Sequence, residues 1–175
     1  MLIPDTITSN FYLNKYKFSE LEIETPPIHD LNMVVVIPSF KEPQLIKSLQ
    51  SLRNCTPTNQ AVEVIVVINC SEIAEEELKS MNQTAYDEAA EWANLNSTGK
   101  LQFHIIKNLQ LPKKHAGVGL ARKIGMDEAV RRLEWVNKSQ GIIVCFDADS
   151  EVQSNYLIEL EKHFFEHPKA TACSI

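Results

Sequence analysis

The sequence predicts an α/β fold, a three-layer sandwich with helices on both faces of a mainly parallel sheet. Short apolar runs rich in Val and Ile alternate along the chain with longer segments whose apolar residues recur every three or four positions. Polar clusters directly follow several of these runs, as expected where strands end. This alternation favours parallel strands joined by right-handed crossovers, with ligands bound beyond the carboxyl ends of the strands.

The first two strands are predicted from runs that are apolar on both faces. Residues 33–37 are β-branched or otherwise apolar, as in a strand buried at the centre of a parallel sheet, and Pro38 is expected to end this strand. A helix over 44–53 follows, because its leucines recur on one face. Residues 63–68 repeat the buried-strand pattern, so the second strand also belongs in the interior of the sheet.

The third strand follows a long helix. Glutamates crowd the first turns of the helix predicted over 72–95, where the helix dipole favours negative charge, and its apolar residues lie three and four positions apart. Residues 101–105 alternate between apolar and polar, which predicts a strand nearer the edge of the sheet. His104 falls on the polar side of this strand and is expected at the surface.

The last part of the chain repeats the strand–helix order. A basic loop over 109–116 leads into a helix over 118–137 with a regular apolar face. The apolar run 142–146 is the fourth predicted strand, and the spacing of apolar residues over 154–166 indicates another helix. Residues 170–175 are predicted to form a further strand.

Length, charge and cysteine spacing exclude several classes of protein. The 175 residues fit one domain, with 1–32 predicted to be an arm that lies over the domain formed by 33–175. The net charge of −6 provides no basic surface for nucleic acid. No apolar stretch approaches the ~20 residues of a membrane span, and no signal peptide is visible. The four cysteines lack C-x-x-C spacing and are expected to be buried and reduced, which indicates a cytoplasmic protein, with membrane association left open for a longer parent chain.

The most informative segment is a pair of aspartates after the fourth strand. Asp147 and Asp149 stand one residue apart where the apolar run ends. Such carboxylates make a site for a hard cation, because Mg²⁺ is usually held by one or two carboxylates together with substrate phosphates. The alternative is an Asp/Ser turn that closes the strand. Because the topology gathers the other polar clusters at the same rim, the sequence favours a site for a nucleotide diphosphate and a divalent cation.

Polar clusters at the other strand ends supply further candidates. After the first strand, Glu42 could hold a base or a ribose hydroxyl and Phe40 could pack nearby, although the segment also suits a helix start, with Pro43 in the first turn. After the second strand, the amide of Asn69 could pair with the edge of a base, or it could cap the following helix.

A glycine-containing helix start is the candidate for phosphate binding. Gly117 precedes the helix predicted over 118–137, so the backbone there could approach a ligand, and helix N-termini attract phosphate. Arg122 and Lys123 add positive charge. The spacing matches the dinucleotide-binding pattern only in part, and the alternative is a glycine-started helix with a solvated basic face.

Taken in order, these segments resemble the N-terminal half of a family 2 glycosyltransferase with the GT-A fold. The resemblance covers residues 33–152 and is carried by four motifs, at 35–42, 63–71, 117–125 and 146–150. It implies that 33–175 is a nucleotide-diphospho-sugar-binding domain with a UDP-sugar as the favoured donor and Mn²⁺ or Mg²⁺ as cofactor.

The resemblance also implies roles for individual residues. Nucleotide-binding residues by position are Pro38, Ser39, Phe40, Glu42, Asn69, Gly117, Arg122, Lys123 and Asp147. The metal is assigned to Asp149 together with Asp147, and the acceptor is an unidentified saccharide or lipid-linked molecule. Where the family usually has an aspartate pair with glycine, this chain has Asn69 between Ile68 and Cys70, which leaves the preferred base open.

The family's acceptor half and catalytic carboxylate lie beyond the Asp-x-Asp segment, so the chain is expected to be incomplete and no catalytic base is assigned. One alternative is a non-catalytic nucleotide-sugar-binding domain with the same fold. The other is a haloacid-dehalogenase-type phosphatase, whose D-x-D-x-T/V segment differs here at Glu151 and leaves little chain for the downstream residues such an enzyme needs.

Overall fold

A computed structural model describes residues 10–174, and all structural statements refer to this part of the chain. Its elements in chain order are α1 (Phe11–Tyr16), β1 (Leu31–Ser39), α2 (Leu45–Arg53), β2 (Ala61–Ser71), α3 (Glu76–Asn96), β3 (Leu101–Leu111), α4 (Val118–Trp135), β4 (Ile142–Cys145) and α5 (Tyr156–Glu166).

The four strands form one sheet in the order β3–β2–β1–β4, and every neighbouring pair is parallel. Val35 marks the register, since it lies opposite Val64 of β2 and Val144 of β4. The two central strands are buried along nearly their whole length, as their β-branched sequences predict. The predicted α/β class with a parallel sheet is confirmed, and β3 lies at the edge as expected.

Alternate residues of β1 point into two separate cores. Val35 and Ile37 pack on the face covered by α2, α3 and α5, whereas Val34 and Val36 pack on the face covered by α4. The three layers of the predicted sandwich therefore follow from the two-residue period of a strand buried on both faces. Helix α4 approaches the sheet closely at Gly125, where an added Cβ would lie 2.5 Å from Cγ1 of Val36.

Three strands run further than the sequence pattern predicts, and β2 covers Ala61–Ser71 rather than 63–68, so that Asn69 lies within it. Pro38 does not end β1, which continues to Ser39. Successive residues of a strand direct their backbone N–H and C=O groups to opposite sides, so Val36 and Pro38 face the same neighbouring strand. The carbonyl of Val36 accepts a hydrogen bond from the β4 side. The N–H that Pro38 lacks would face that side too, at a level where β4 has already ended. Strand β3 extends to Leu111 because its second half pairs with β2, so the predicted loop over 109–116 begins three residues later.

The strand predicted over 170–175 is wrong for residues 170–174, which have no regular structure; Ile175 lies outside the described residues. β-Branched and small residues favour an extended backbone, but a strand forms only where a partner strand accepts its hydrogen bonds. The cysteine expectation holds in part. All four cysteines are free, but Cys145 and Cys173 are exposed, because one lies on the edge strand β4 and the other in this terminal segment.

Helix α4 carries an unusual set of buried charges. Asp127, Glu128, Arg131 and Arg132 are all buried, although they fall on a helix predicted from its apolar face. Buried charges require partners, because the desolvation of an unpaired charge is costly. Several of the partners come from the described part of the predicted arm, residues 10–30, which lies against α4.

Backbone groups of this arm bind the charges one after another, although Oε1 of Glu128 is buried and has no hydrogen-bond partner among the described residues. The N–H of Phe18 donates to Asp127 at 2.9 Å, and the N–H of Glu22 donates to Glu128 at 3.2 Å. Arg131 donates to the carbonyl of Ser19, and Arg132 donates to the carbonyl of Thr25. The arm is thus fixed by hydrogen bonds to ionised side chains, which are stronger than neutral ones.

The centre of this polar layer is the ion pair between Arg132 of α4 and Glu63 of β2. The guanidinium binds both carboxylate oxygens, one of them at 2.8 Å from Nη2, and both side chains are fully buried. The arm contributes the N–H of Ile28, and β3 contributes His104, which is half-buried against the pair rather than at the surface as expected.

The pKa values of two buried carboxyl groups are shifted in opposite directions. Burial opposes the ionisation of Glu63, but hydrogen bonds and charge from Arg132 and His104 outweigh it and lower the pKa from 4.5 to about 2. Burial raises the pKa of Glu128 above its ordinary value, because the N–H of Glu22 and the charge of Arg131 compensate only in part.

We expect the free energy of unfolding to fall as the pH drops from about 4.5 towards 2, because Glu63 gains its proton in the unfolded chain before it does so in the folded chain. The shift corresponds to a loss on the order of 3 kcal/mol. Glu128 has the opposite sign, since its raised pKa costs stability as the pH rises.

Urea unfolding at about pH 6 and about pH 3, for the wild-type chain and Glu63→Gln, measures this loss. The variant should be less stable at both pH values but lose less between them, since Gln does not titrate. An equal loss in both proteins would show that Glu63 is not its source.

Candidate functional site

Three polar segments meet at the carboxyl edge of the sheet. Strands β1, β2 and β4 end at Ser39, Ser71 and Cys145. Because β1 lies between β2 and β4, the segment after Ser39 stands between Asn69 near the end of β2 and Asp147 just after β4. This is the rim at which parallel sheets bind ligands.

The aspartate pair lies on a tight turn. The N–H of Ser150 donates to the carbonyl of Asp147 at 3.1 Å, and the two carboxylates are exposed while Ala148 between them is buried. The buried hydroxyl of Ser48, on α2, lies 2.6 Å from the carbonyl oxygens of both Ala148 and Ser150. One side chain from the neighbouring helix therefore fixes the turn that presents both aspartates.

Arg122 joins the start of α4 to the end of β4. Its Nη2 donates to Oδ1 of Asp147 at 2.8 Å, in a pair that is open to solvent. The Nε of Arg122 is buried and has no hydrogen-bond partner among the described residues. Gly117 precedes α4 with φ of 146°, a conformation that favours glycine, and open space lies where its side chain would be.

Asn69 is buried at the rim with half of its amide unused. Its Nδ2 donates to the carbonyl of Ser39 at 3.0 Å, which fixes the orientation of the amide. The Oδ1 atom is buried and accepts no hydrogen bond within the described chain. Since buried polar atoms are nearly always paired, this oxygen marks a place where a donor group could bind.

The segment after β1 exposes the side chains of Phe40 and Lys41. The ring of Phe40 is 47% exposed. Glu42 accepts the N–H of Gln44 at 2.8 Å, so it serves the start of α2, which was the structural alternative for this residue. The N–H of Lys41 donates to Oδ1 of Asn82 on α3 at 3.2 Å.

Two of the predicted residues lie apart from this arrangement. The ammonium of Lys123 binds Asp127 and the carbonyl of Tyr16 and lies over the ring of Tyr12, so it is engaged by the arm. Pro38 is buried within β1. The structure therefore brings together Ser39, Phe40, Asn69, Arg122, Asp147 and Asp149 near the ends of the strands, with Glu42 and Gly117 at the starts of the adjoining helices.

Sequence reasoning missed Ser48 and Asn82, which hold the loops in place. Both lie on helices and are buried, and both use polar side-chain atoms to bind loop backbone. Their positions on otherwise apolar helix faces were the available signal, since Ser48 lies three residues after Leu45 and four before Leu52 on α2.

A comparison with protein-family models matches residues 34–175 to the family described as Glycosyl transferase family 2. The chain belongs to glycosyl transferase family 2. This supports the resemblance found in the sequence and favours it over the phosphatase alternative. A comparison with curated proteins gives no match.

Solved structures of S. aureus TarS are similar to this family 2 chain at low identity. TarS 1–349 shares 16% identity over 79% of this chain and 33% of that chain, with a TM-score of 0.47. The same TarS fragment crystallised in complex with UDP gives 17% identity, 79% and 33% coverage and a TM-score of 0.47. The chain thus spans about a third of the TarS fragment.

Two carboxylates at the rim of this glycosyl transferase family 2 chain could hold a divalent cation together with a diphosphate. No group of three or more His, Cys, Asp or Glu side chains within residues 10–174 is placed to hold a metal ion. Asp147 and Asp149 provide two exposed carboxylates, and Mg²⁺-like ions complete such a pair with water and phosphate oxygens. The pair therefore suits a cation that binds together with a diphosphate.

Helices of the described chain include none whose length and hydropathy would let it cross a bilayer.

We expect Ser48→Ala to lower the free energy of unfolding by about 1–2 kcal/mol, because it leaves two loop carbonyls without their shared donor. Urea unfolding measures the change. Ser80→Ala, at an exposed position of α3, is the control and should stay within about 0.5 kcal/mol of wild type. Equal stability of the two variants would contradict the role of Ser48.

Proposed function

We propose that this chain binds the donor of a glycosyltransferase, a UDP-sugar accompanied by Mn²⁺ or Mg²⁺, for transfer of the sugar to a saccharide or lipid-linked acceptor. The observation that carries the proposal is the meeting, at one rim of a glycosyl transferase family 2 domain, of an unpaired buried acceptor, an arginine with an unused donor and two exposed carboxylates. In that order, these groups suit the base, the diphosphate and the cation that accompanies a nucleotide-diphospho-sugar.

Asn69 and Phe40 suit the nucleoside. The free Oδ1 of Asn69 requires a donor, and every base carries one at the edge that pairs with other bases, a ring N–H in uracil and guanine and an amino group in adenine and cytosine. The half-exposed ring of Phe40 offers a surface for a base to pack on. UDP is the first nucleotide to test, because the resemblance to family 2 glycosyltransferases favours a UDP-sugar as donor.

Arg122 and the start of α4 suit the diphosphate. The guanidinium has donors beyond the one that Asp147 uses, including the unpartnered Nε, and planar donors of this kind bind phosphate oxygens well. The N-terminus of α4 after Gly117 adds backbone N–H groups that attract anions. Arg122 would therefore bind Asp147 and the diphosphate at once.

Asp149, assisted by Asp147, would hold Mn²⁺ or Mg²⁺. When bound, such a cation neutralises the charge of the departing nucleotide diphosphate. The chain's own contribution is to leave Asp149 exposed, without a partner among the described residues, and to hold Asp147 beside Arg122. The catalytic base is not assigned to any residue of this chain.

Thermal unfolding with UDP, GDP, CDP and ADP, each with and without Mn²⁺, tests the proposal. A nucleotide present at 100 times its dissociation constant should add about 2.7 kcal/mol to the stability of the folded chain. We expect UDP to stabilise the chain in the presence of Mn²⁺. Failure of every nucleotide to stabilise it would contradict the proposed donor site.

We expect Asp149→Ala to abolish the Mn²⁺-dependent part of UDP binding while leaving stability near that of wild type, because the change removes an exposed charge next to another carboxylate. Calorimetric titration of UDP with and without Mn²⁺ measures the loss. Asp87→Ala, at an exposed position of α3, is the control and should bind as wild type does. Mn²⁺-dependent binding that survives Asp149→Ala would rule out this metal assignment.

We expect Arg122→Ala to weaken UDP binding by about 10–100-fold and uridine binding far less, because charge-assisted hydrogen bonds to phosphate contribute about 1.5–3 kcal/mol. Titration of both ligands into the variant gives the comparison, and Lys162→Ala, at an exposed position of α5, controls for the loss of a positive charge. Equal losses for UDP and uridine would mean that Arg122 does not contact the diphosphate.

A further inference from the structure

One residue beside the candidate site has a backbone conformation that its side chain does not favour. Lys41 has φ of 51°, in the left-handed region. Among residues 10–174 one other non-glycine residue has positive φ, Asn137, which follows α4 where left-handed residues are common. Lys41 has neither the side chain nor the position that makes this conformation easy, so the surrounding structure must hold it.

Asn82 is the group that holds it. This residue is buried on α3, and its Oδ1 accepts the N–H of Lys41 at 3.2 Å. Its Nδ2 donates to the carbonyl of Leu78 at 3.1 Å, so both ends of the amide are used and its orientation is fixed. A buried Asn within a helix does not favour the helix itself, which leaves the contact with Lys41 as its structural contribution.

The segment after β1 is therefore fixed at three successive points. The carbonyl of Ser39 accepts from Asn69, the N–H of Lys41 donates to Asn82, and the carboxylate of Glu42 accepts from Gln44. Phe40 has no such bond among the described residues and lies between the first two points, so its direction is set by the backbone on either side. A regular conformation at Lys41 would turn that backbone and change the direction of the Phe40 ring.

We infer that Asn82 is a positioning residue for donor binding, which holds Lys41 in the left-handed conformation and so sets the direction of Phe40, the residue after the Ser39 carbonyl that Asn69 binds. The inference rests on the proposed function and adds a residue that touches no part of the donor. Loss of the Asn82 contact would lower the population of chains whose segment is ready to bind, and the apparent affinity would fall in proportion.

The first test compares two variants of Asn82 by calorimetric titration of UDP with Mn²⁺. Asn82→Leu fills the space without an acceptor and should weaken UDP binding about tenfold, equivalent to about 1.4 kcal/mol. Asn82→Asp keeps an acceptor for the N–H of Lys41 but loses the donor to Leu78, so it should unfold more easily than wild type, while its folded fraction should bind UDP within about threefold of wild type. Urea unfolding of both variants separates a change in affinity from a loss of folded protein.

A second test alters Lys41 itself, which is exposed, so that folding is not at risk. Lys41→Gly and Lys41→Val both remove the ammonium, but Gly accepts positive φ and Val does not. Lys41→Val should therefore bind UDP about tenfold more weakly than Lys41→Gly. Adding Asn82→Leu to Lys41→Gly should change the affinity by less than about twofold, because Gly no longer needs to be held.

The outcomes separate this inference from the proposed function. Wild-type protein that binds no nucleotide would overturn the proposed donor site and the role of Asn82 with it. Wild-type binding of UDP that is unchanged in Asn82→Leu, or equal in Lys41→Gly and Lys41→Val, would overturn the role of Asn82 alone. The role of Asn82 would be established if Asn82→Leu weakens UDP binding, Asn82→Asp does not, and Asn82→Leu has no further effect when added to Lys41→Gly.

Discussion

The buried ion pair between Glu63 and Arg132 is the constraint on which the rest of the structure depends. Neither charge reaches solvent, so each would be very costly without the other. The pair joins β2 to α4, and His104 of β3 and the N–H of Ile28 from the arm complete its hydrogen bonds. Strand, helix, edge strand and arm are therefore held in one relative arrangement by a single polar centre.

The candidate site is a consequence of that arrangement. Once Arg132 fixes one end of α4 against β2, the other end of the helix places Arg122 beside Asp147 at the carboxyl edge of the sheet. The remaining side of the site is fixed by the other layer, since Ser48 and Asn82 reach the loops from α2 and α3. Helices on both faces of the sheet thus determine the geometry of one rim.

The fold was largely predictable from the sequence, because burial of a parallel sheet on both faces leaves a direct pattern in the residues. The predicted strand is wrong for residues 170–174 because an extended backbone also needs a partner strand, which no local sequence pattern reports. The aspartate pair was visible in the sequence because it directly follows an apolar run. Arg122 and Lys123 could not be separated, since neighbours on a helix differ by about 100° in direction and only the packing of α4 shows which one faces the site.

Gly125 gives this arrangement a dependence that the site residues do not reveal. The missing side chain is what lets α4 rest against Val36, and Arg122 stands one helical turn before it. Any side chain at 125 would lift that end of the helix and carry the guanidinium away from Asp147. A defect in ligand recognition could therefore arise from a core position that contributes no side chain to the site. The distance between the helix and the sheet matters to the site as much as the side chains that the helix carries.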